Sequence, residues 1–201
     1  MDEQVTQALL KWPNVPDVYG FLSLNSEGQW RLHPDGLALE QAHRPGLTIE
    51  KQSIVHFFNR HYMMDEHRQW FIQNGPQRAY VRLDAAPYIV HTGSDALTLY
   101  THTEQAIEQV KAWYFCTQGR LFLDTNLGAA LLQGRDLSAV IEQLRTPYGS
   151  LEDWLLEQEQ TPEHGPPLHH PLYKQAAPLY FCTSDAALRD KLAYIAHPQA
   201  F

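Results

Sequence analysis

The feature that most constrains this chain is Asn74-Gly75, set between two short segments of mixed apolar and polar residues. Such a dipeptide can hold both central residues of a tight turn at positive φ, the backbone shape that matches the twist of two antiparallel strands. The segment that follows runs from Gln77 to Leu83. It puts Ala79, Val81 and Leu83 on one side and Arg78, Tyr80 and Arg82 on the other. Pro76 has no N–H for a ladder and is expected at the first position of that strand. Upstream, residues 62–64 and 69–73 flank a polar turn and complete a hairpin.

The same pattern recurs along the chain. Strands are expected at 18–24 and 29–33 around a turn at 25–28, at 86–92 and 96–101, and at 112–117 and 120–125 around Gln118-Gly119. Gln29-Trp30 and Gln69-Trp70 hold the same place in their hairpins, and Leu121-Phe122 holds it in another, which suggests a weak internal repeat. Helices are expected over 2–11, after Thr48 as cap with Glu50 in the first turn, over 104–111, and over 136–144 with Asp136 as cap. Ser150-Leu-Glu-Asp153 is a capping-box pattern opening another helix, and Ser184 caps a last one. Residues 161–171 hold four prolines and three histidines and read as a linker or long loop. The fold class is therefore α+β: a mainly antiparallel sheet built from successive hairpins, with a few amphipathic helices packed on it. Residues 1–148 form the expected core domain, and 149–201 are expected to pack back on it.

Composition narrows the function classes. An apolar fraction of 44% with 19% charged residues suits a folded globular chain. No apolar run is long enough to cross a bilayer, and the opening Met1-Asp2-Glu3 lacks the basic end of a signal peptide. A cytoplasmic location without membrane attachment is the expectation. The net charge of −8 makes nucleic acid an unlikely general partner, although residues 43–82 are +3 against −11 for the rest. That basic stretch mixes Arg with aromatics, the residue types that bind anionic groups or stack on bases.

Sites of familiar chemistry are not legible. His56 and His61 are five apart, which does not put both on one helix face, and Asp65-Glu66-His67 lacks metal-ligand spacing. No Gly-x-Ser-x-Gly, glycine-rich phosphate loop or Cys-x-x-Cys occurs. No metal, cofactor or catalytic residue is assigned. The two cysteines, Cys116 and Cys182, each close the sequence Tyr-Phe-Cys, followed by Thr, at 114–117 and 180–183. They read as small apolar residues on two strands, with a redox pair as the functional alternative.

The segment from Trp12 to Pro16, the run from Asp17 to Leu24 with Gly28-Gln-Trp-Arg31, and the run from Trp70 to Asp84 containing Asn74-Gly-Pro-Gln-Arg78 give the chain a likeness to a known family. Over about residues 12–144 it resembles an uncharacterised family of bacterial, chiefly proteobacterial, proteins, a domain of unknown function. The resemblance implies a compact bacterial protein and carries over no site residue.

The reading favours a non-enzymatic binding or interaction protein with an unknown protein or small-molecule partner. The candidate binding residues are Arg68, Trp70, Asn74, Gln77, Arg78, Tyr80 and Arg82. The alternatives are an anionic-ligand or nucleic-acid face made by Arg68, Arg78 and Arg82, and an enzyme assembled from distant residues such as Asp84, His91 and His102. The tryptophans themselves are expected in the core.

Overall fold

A computed structural model of the chain describes residues 7, 15–41, 43–116, 118–158 and 163–200. The helix expected over 2–11 therefore lies almost wholly outside the described residues. The chain divides into two compact units, one of residues 1–87 with 193–201 and one of residues 88–192.

The first unit carries a six-stranded sheet. Its strands are β1 (Val18–Leu24), β2 (Trp30–Leu32), β3 (Leu47–Thr48), β4 (Tyr62–Met64), β5 (Trp70–Asn74) and β6 (Gln77–Leu83), in the order β3-β2-β1-β6-β5-β4. Helix α1 (Gln52–His61) joins β3 to β4. The hairpins stand where the sequence placed them, but β1 and β6 pair in parallel, with Leu22 opposite Val81 and Leu24 opposite Leu83. The sheet is mixed, so the expected succession of antiparallel hairpins is corrected. A hairpin pairs only chain neighbours; what brings β1 to β6 is apolar content at the sheet centre, where Leu24, Val81 and Leu83 are almost fully enclosed. Gly20 (φ +83) lets a loop approach β1, since a Cβ there would lie 2.0 Å from the Gly36 carbonyl oxygen.

The tight turn also differs from expectation. Asn74 pairs with Gln77, so the two loop residues are Gly75 and Pro76. Gly75 has φ +58, while the pyrrolidine ring holds Pro76 at negative φ. A turn with positive φ at both central residues is thereby excluded, and the glycine takes the first central position instead. One helix cap moves as well. Thr48 lies in β3, α1 begins after Lys51 without a side-chain cap, and no acid falls in its first turn.

The second unit carries a seven-stranded sheet in the order β14-β15-β9-β10-β11-β7-β8. Its members are β7 (Tyr88–Thr92), β8 (Leu99–Thr101), β9 (Val110–Cys116), β10 (Arg120–Thr125), β11 (Ala129–Leu132), β14 (His164–Leu168) and β15 (Ala177–Cys182). A small pair, β12 (Arg145–Thr146) and β13 (Gly149–Ser150), precedes α3. Helices α2 (Leu137–Gln143), α3 (Leu151–Leu156) and α4 (Asp185–Leu192) complete the unit. This sheet is mixed too: β7 and β11, and β9 and β15, run parallel. The core holds Ile89, Val90, Trp113, Leu121, Phe122 and Leu123, all nearly inaccessible.

Several local expectations change here. No helix forms over 104–111; Glu104 sits at φ 63 and β9 begins at Val110. Asp136 does not cap α2 with its side chain, because its Oδ2 accepts from the Thr92 backbone N–H at 3.0 Å. Ser150 does cap α3, its Oγ accepting from the Asp153 N–H at 3.0 Å. The proline-rich stretch holds β14 at a sheet edge. Its ladder skips from Gly165 to Leu168, so Pro166 and Pro167 meet no demand for a donor. Among the described residues no helix is long and apolar enough to cross a membrane.

Candidate functional site

The residues singled out from sequence sit in the first unit, and the structure separates them. Arg68 lies in the β4–β5 turn at φ 64 with an exposed side chain. Asn74 and Gln77 flank the β5–β6 turn, and the Gln77 Nε2 donates to the Pro16 carbonyl at 3.1 Å. Trp30, Trp70 and Trp113 are buried, as expected of core residues, so Trp70 offers no face for stacking; its ring lies 4.7 Å from that of Tyr62.

Besides the Asn74–Gln77 strand pair, Arg78 and Tyr80 share one face of β6. Arg78 lies 4.8 Å over the Phe71 ring, and the Tyr80 hydroxyl donates to the Asp65 Oδ2 at 2.9 Å. Tyr19 stacks on Tyr80 at 4.5 Å with an interplanar angle of 4°. Burial, more than its neighbours, pushes the Tyr80 phenol well above the ordinary tyrosine range, so it stays protonated as a donor. Asp65 also accepts from the N–H groups of His67 and Gln69, at 2.9 and 2.8 Å. Arg82 lies on the same strand face as Arg78 but is 1% exposed. It binds the Asp84 carboxylate at 2.8 Å and the Ala38 carbonyl at 2.6 Å. The expectation of an exposed arginine face along β6 is thus corrected at Tyr80 and Arg82: the last four residues of the strand are buried.

Of the residues weighed for an assembled enzyme, Asp84 is held by Arg82. His102 is buried, and its Nδ1 accepts from the Ile89 N–H at 3.3 Å. That bond requires an unprotonated Nδ1, and burial holds the ring's pKa down at about 3.

An open site lies instead in the second unit, at the carboxyl ends of β9 and β15. The two strands pair in parallel with Tyr114 opposite Tyr180, Phe115 opposite Phe181 and Cys116 opposite Cys182. The duplicated Tyr-Phe-Cys segments therefore lie side by side. Alternation puts the tyrosines and cysteines on one face and the phenylalanines on the other. The tyrosine rings stack at 5.2 Å and the phenylalanine rings lie 6.3 Å apart. On the phenylalanine face, α3 brings Trp154 to 6.3 Å from Phe181. Over the tyrosines, α4 sets the Lys191 Nζ 3.9 Å from the centre of Tyr180 and 5.2 Å from that of Tyr114. Burial pushes the Tyr114 phenol up to about 12, with Asp124 adding to the effect.

Where the strands end, a cavity of about 780 Å³ opens. Phe115, Phe181, Leu155, Ala187 and the two cysteines form its apolar wall, and Glu163, Thr183 and Lys191 its polar part. Gly119, at φ +70 in the β9–β10 turn, borders it with open space where a side chain would stand. A second hollow of about 370 Å³ lies between α2 and α3, bordered by Ile141, Leu156, Glu142 and Glu152. None of the seven sequence-derived residues lines either cavity. The signal that could have located the larger one was the repeated tetrapeptide. Its meaning depended on a parallel pairing that spacing alone does not specify.

Two mixed sheets with helices joined to them make an α+β fold, and comparison assigns the chain further. The family model DUF2944, described as "Protein of unknown function (DUF2946)", matches residues 1–199. The chain belongs to this family. No curated protein matches it. Among solved structures, it is similar to a DUF1285 family protein from Silicibacter pomeroyi DSS-3, with 13% identity and a TM-score of 0.50. That match covers 88% of this chain and 87% of that one, and the likeness is one of fold. A DUF1285 family protein from Shewanella baltica OS155 matches with 13% identity and a TM-score of 0.39, over 58% of this chain and 86% of that one.

Proposed function

We propose that the chain is a non-enzymatic binding protein that takes a small, mainly apolar molecule into the cavity at the ends of β9 and β15. The observation that carries this reading is the cavity itself. Its volume of about 780 Å³ falls within the span of small-molecule pockets, and aromatic and aliphatic walls meet a few polar groups there. Lys191 favours a ligand whose apolar body ends in an anionic or acceptor group, since the ammonium is the cation bordering the cavity. The anionic-ligand reading through Arg68, Arg78 and Arg82 draws less support. Arg82 is engaged by Asp84 and a backbone carbonyl, and the three do not converge.

The test is a fluorescence titration with anilinonaphthalenesulfonate, a probe with an apolar body and one anionic group. Saturable binding is expected. Phe181→Ala should weaken it by about tenfold, the equivalent of about 1.4 kcal/mol of lost apolar contact. Lys191→Met should weaken it too, while Arg78→Met leaves it unchanged. Affinity indifferent to Phe181 and Lys191 would remove this reading. Loss of binding in Arg78→Met alone would restore the arginine face.

A further inference from the structure

Cys116 and Cys182 occupy directly opposed positions on parallel neighbouring strands, and both are thiols in this structure. Neighbouring strands lie about 4.8 Å apart, inside the span of Cα separations that a disulfide bridges. In-register parallel pairing also points both Cβ atoms to the same face, so the two sulfurs project side by side. Both residues border the cavity, where Cys182 is half-buried and Cys116 more deeply enclosed. Each is the last residue of its strand. A disulfide prefers Cβ atoms somewhat under an ångström closer than strand spacing sets them, so the closed form carries strain.

We infer that Cys116 and Cys182 form a redox-reversible dithiol in the cavity wall, closed to an intramolecular disulfide by a peroxide and reopened by a small dithiol. This inference goes beyond the ligand reading and does not rest on it. The Cys182 thiolate attacks one oxygen of hydrogen peroxide; the S–O bond forms, the O–O bond breaks, and the departing hydroxide leaves as water with the thiol's proton. The resulting sulfenic acid is attacked by the Cys116 sulfur. The S–S bond forms, the S–O bond breaks, and hydroxide leaves as a second water with the Cys116 proton. Two thiols have then lost two electrons and two protons, and one peroxide has become two waters. The half-buried Cys182 meets the oxidant first and Cys116 resolves it, the arrangement of a sensor thiol beside a resolving one. A disulfide across strand spacing is stretched relative to its preferred Cβ separation, which makes it readily reduced.

The full chain is treated with hydrogen peroxide, its remaining thiols are blocked with N-ethylmaleimide, and it is digested and weighed without reduction. The expected product joins the β9 peptide to the β15 peptide, two hydrogens lighter than the reduced pair, and dithiothreitol restores two maleimide-reactive thiols. Cys116→Ser should leave a sulfenic acid on Cys182 that dimedone traps. The wild-type peptide map decides the matter even where that variant fails to fold. Sulfinic or sulfonic acid without the linked peptide, linkage only between chains on a non-reducing gel, or thiols that stay unreacted would each overturn the inference.

Discussion

The β5–β6 region and the β9–β15 region are both rich in aromatics with a cation lying over a ring, yet they do opposite things. Around β6 the central polar groups meet fixed internal partners: Arg82 with Asp84 and Ala38, Tyr80 with Asp65, Asp65 with two backbone N–H groups. At the ends of β9 and β15, Phe115, Phe181 and Lys191 border open volume instead. A basic, aromatic sequence thus marks a site only when its side chains are left with work to do toward solvent. Strand ends leave that freedom, and the middle of a two-sided sheet does not.

The comparison breaks most readily at Arg82. Arg82→Met should destabilise the protein by about 3 kcal/mol in urea unfolding, because it leaves the Asp84 carboxylate and the Ala38 carbonyl without their donor. Phe181→Ala, at the open site, should cost well under that while changing probe binding. Equal stability for Arg82→Met and wild type would show that Arg82 is available to a ligand after all.

Acid should act next, through the second unit. The His170 Nδ1 accepts from the Leu172 N–H at 3.3 Å, and burial holds that ring's pKa down at about 4, with His169 adding to the effect. His102 is held lower still, at about 3. Both are neutral in the fold and take up protons more readily when unfolded, where the ordinary value is 6.5. Their contribution is present in full above pH 6.5 and declines as the pH falls towards about 4 for His170 and about 3 for His102. Each contributes a slope of about 1.4 kcal/mol per pH unit within its window. His170→Gln should remove one such slope in unfolding curves taken across that range; an unchanged slope would mean that His170 titrates normally in the fold.

Smaller effects sharpen the contrast. Tyr80→Phe should cost about 1 kcal/mol, since the Asp65 carboxylate keeps its backbone donors when the phenol is lost. Ser150→Ala should cost about as much by removing the α3 cap. Because α3 carries Leu155 to the cavity wall, the Ser150 change should also weaken probe binding, whereas Tyr80→Phe should not.

Much of the local structure was legible. Alternation and turn residues marked β1, β2, β5, β6, β9 and β10, and Ser150 with Asp153 marked the start of α3. Where local reading failed, a competing local constraint or a distant partner was responsible. Pro76 forced the β5–β6 turn one residue along, a constraint present in the sequence but outweighed there by the Asn-Gly signal. The β11 strand, Ala129–Leu132, is a short wholly buried run without alternation, which periodicity cannot distinguish from any other apolar segment. Asp136 looked like a cap because nothing nearby in sequence announces the Thr92 N–H that takes its carboxylate.

The candidate site was less legible, for the same reason on a larger scale. By itself the sequence determined which segments extend, where most of them turn, and that a Tyr-Phe-Cys-Thr string occurs twice. Those properties depend on backbone preferences and on side chains within a few residues of one another. Only the tertiary structure decided that the two strings lie in register, that β6 is buried on the side carrying Arg82, and that the end of the β9–β15 pair stays open. Parallel neighbours are joined through long stretches of chain, so their register is selected by burial across the whole sheet, and no local spacing records it.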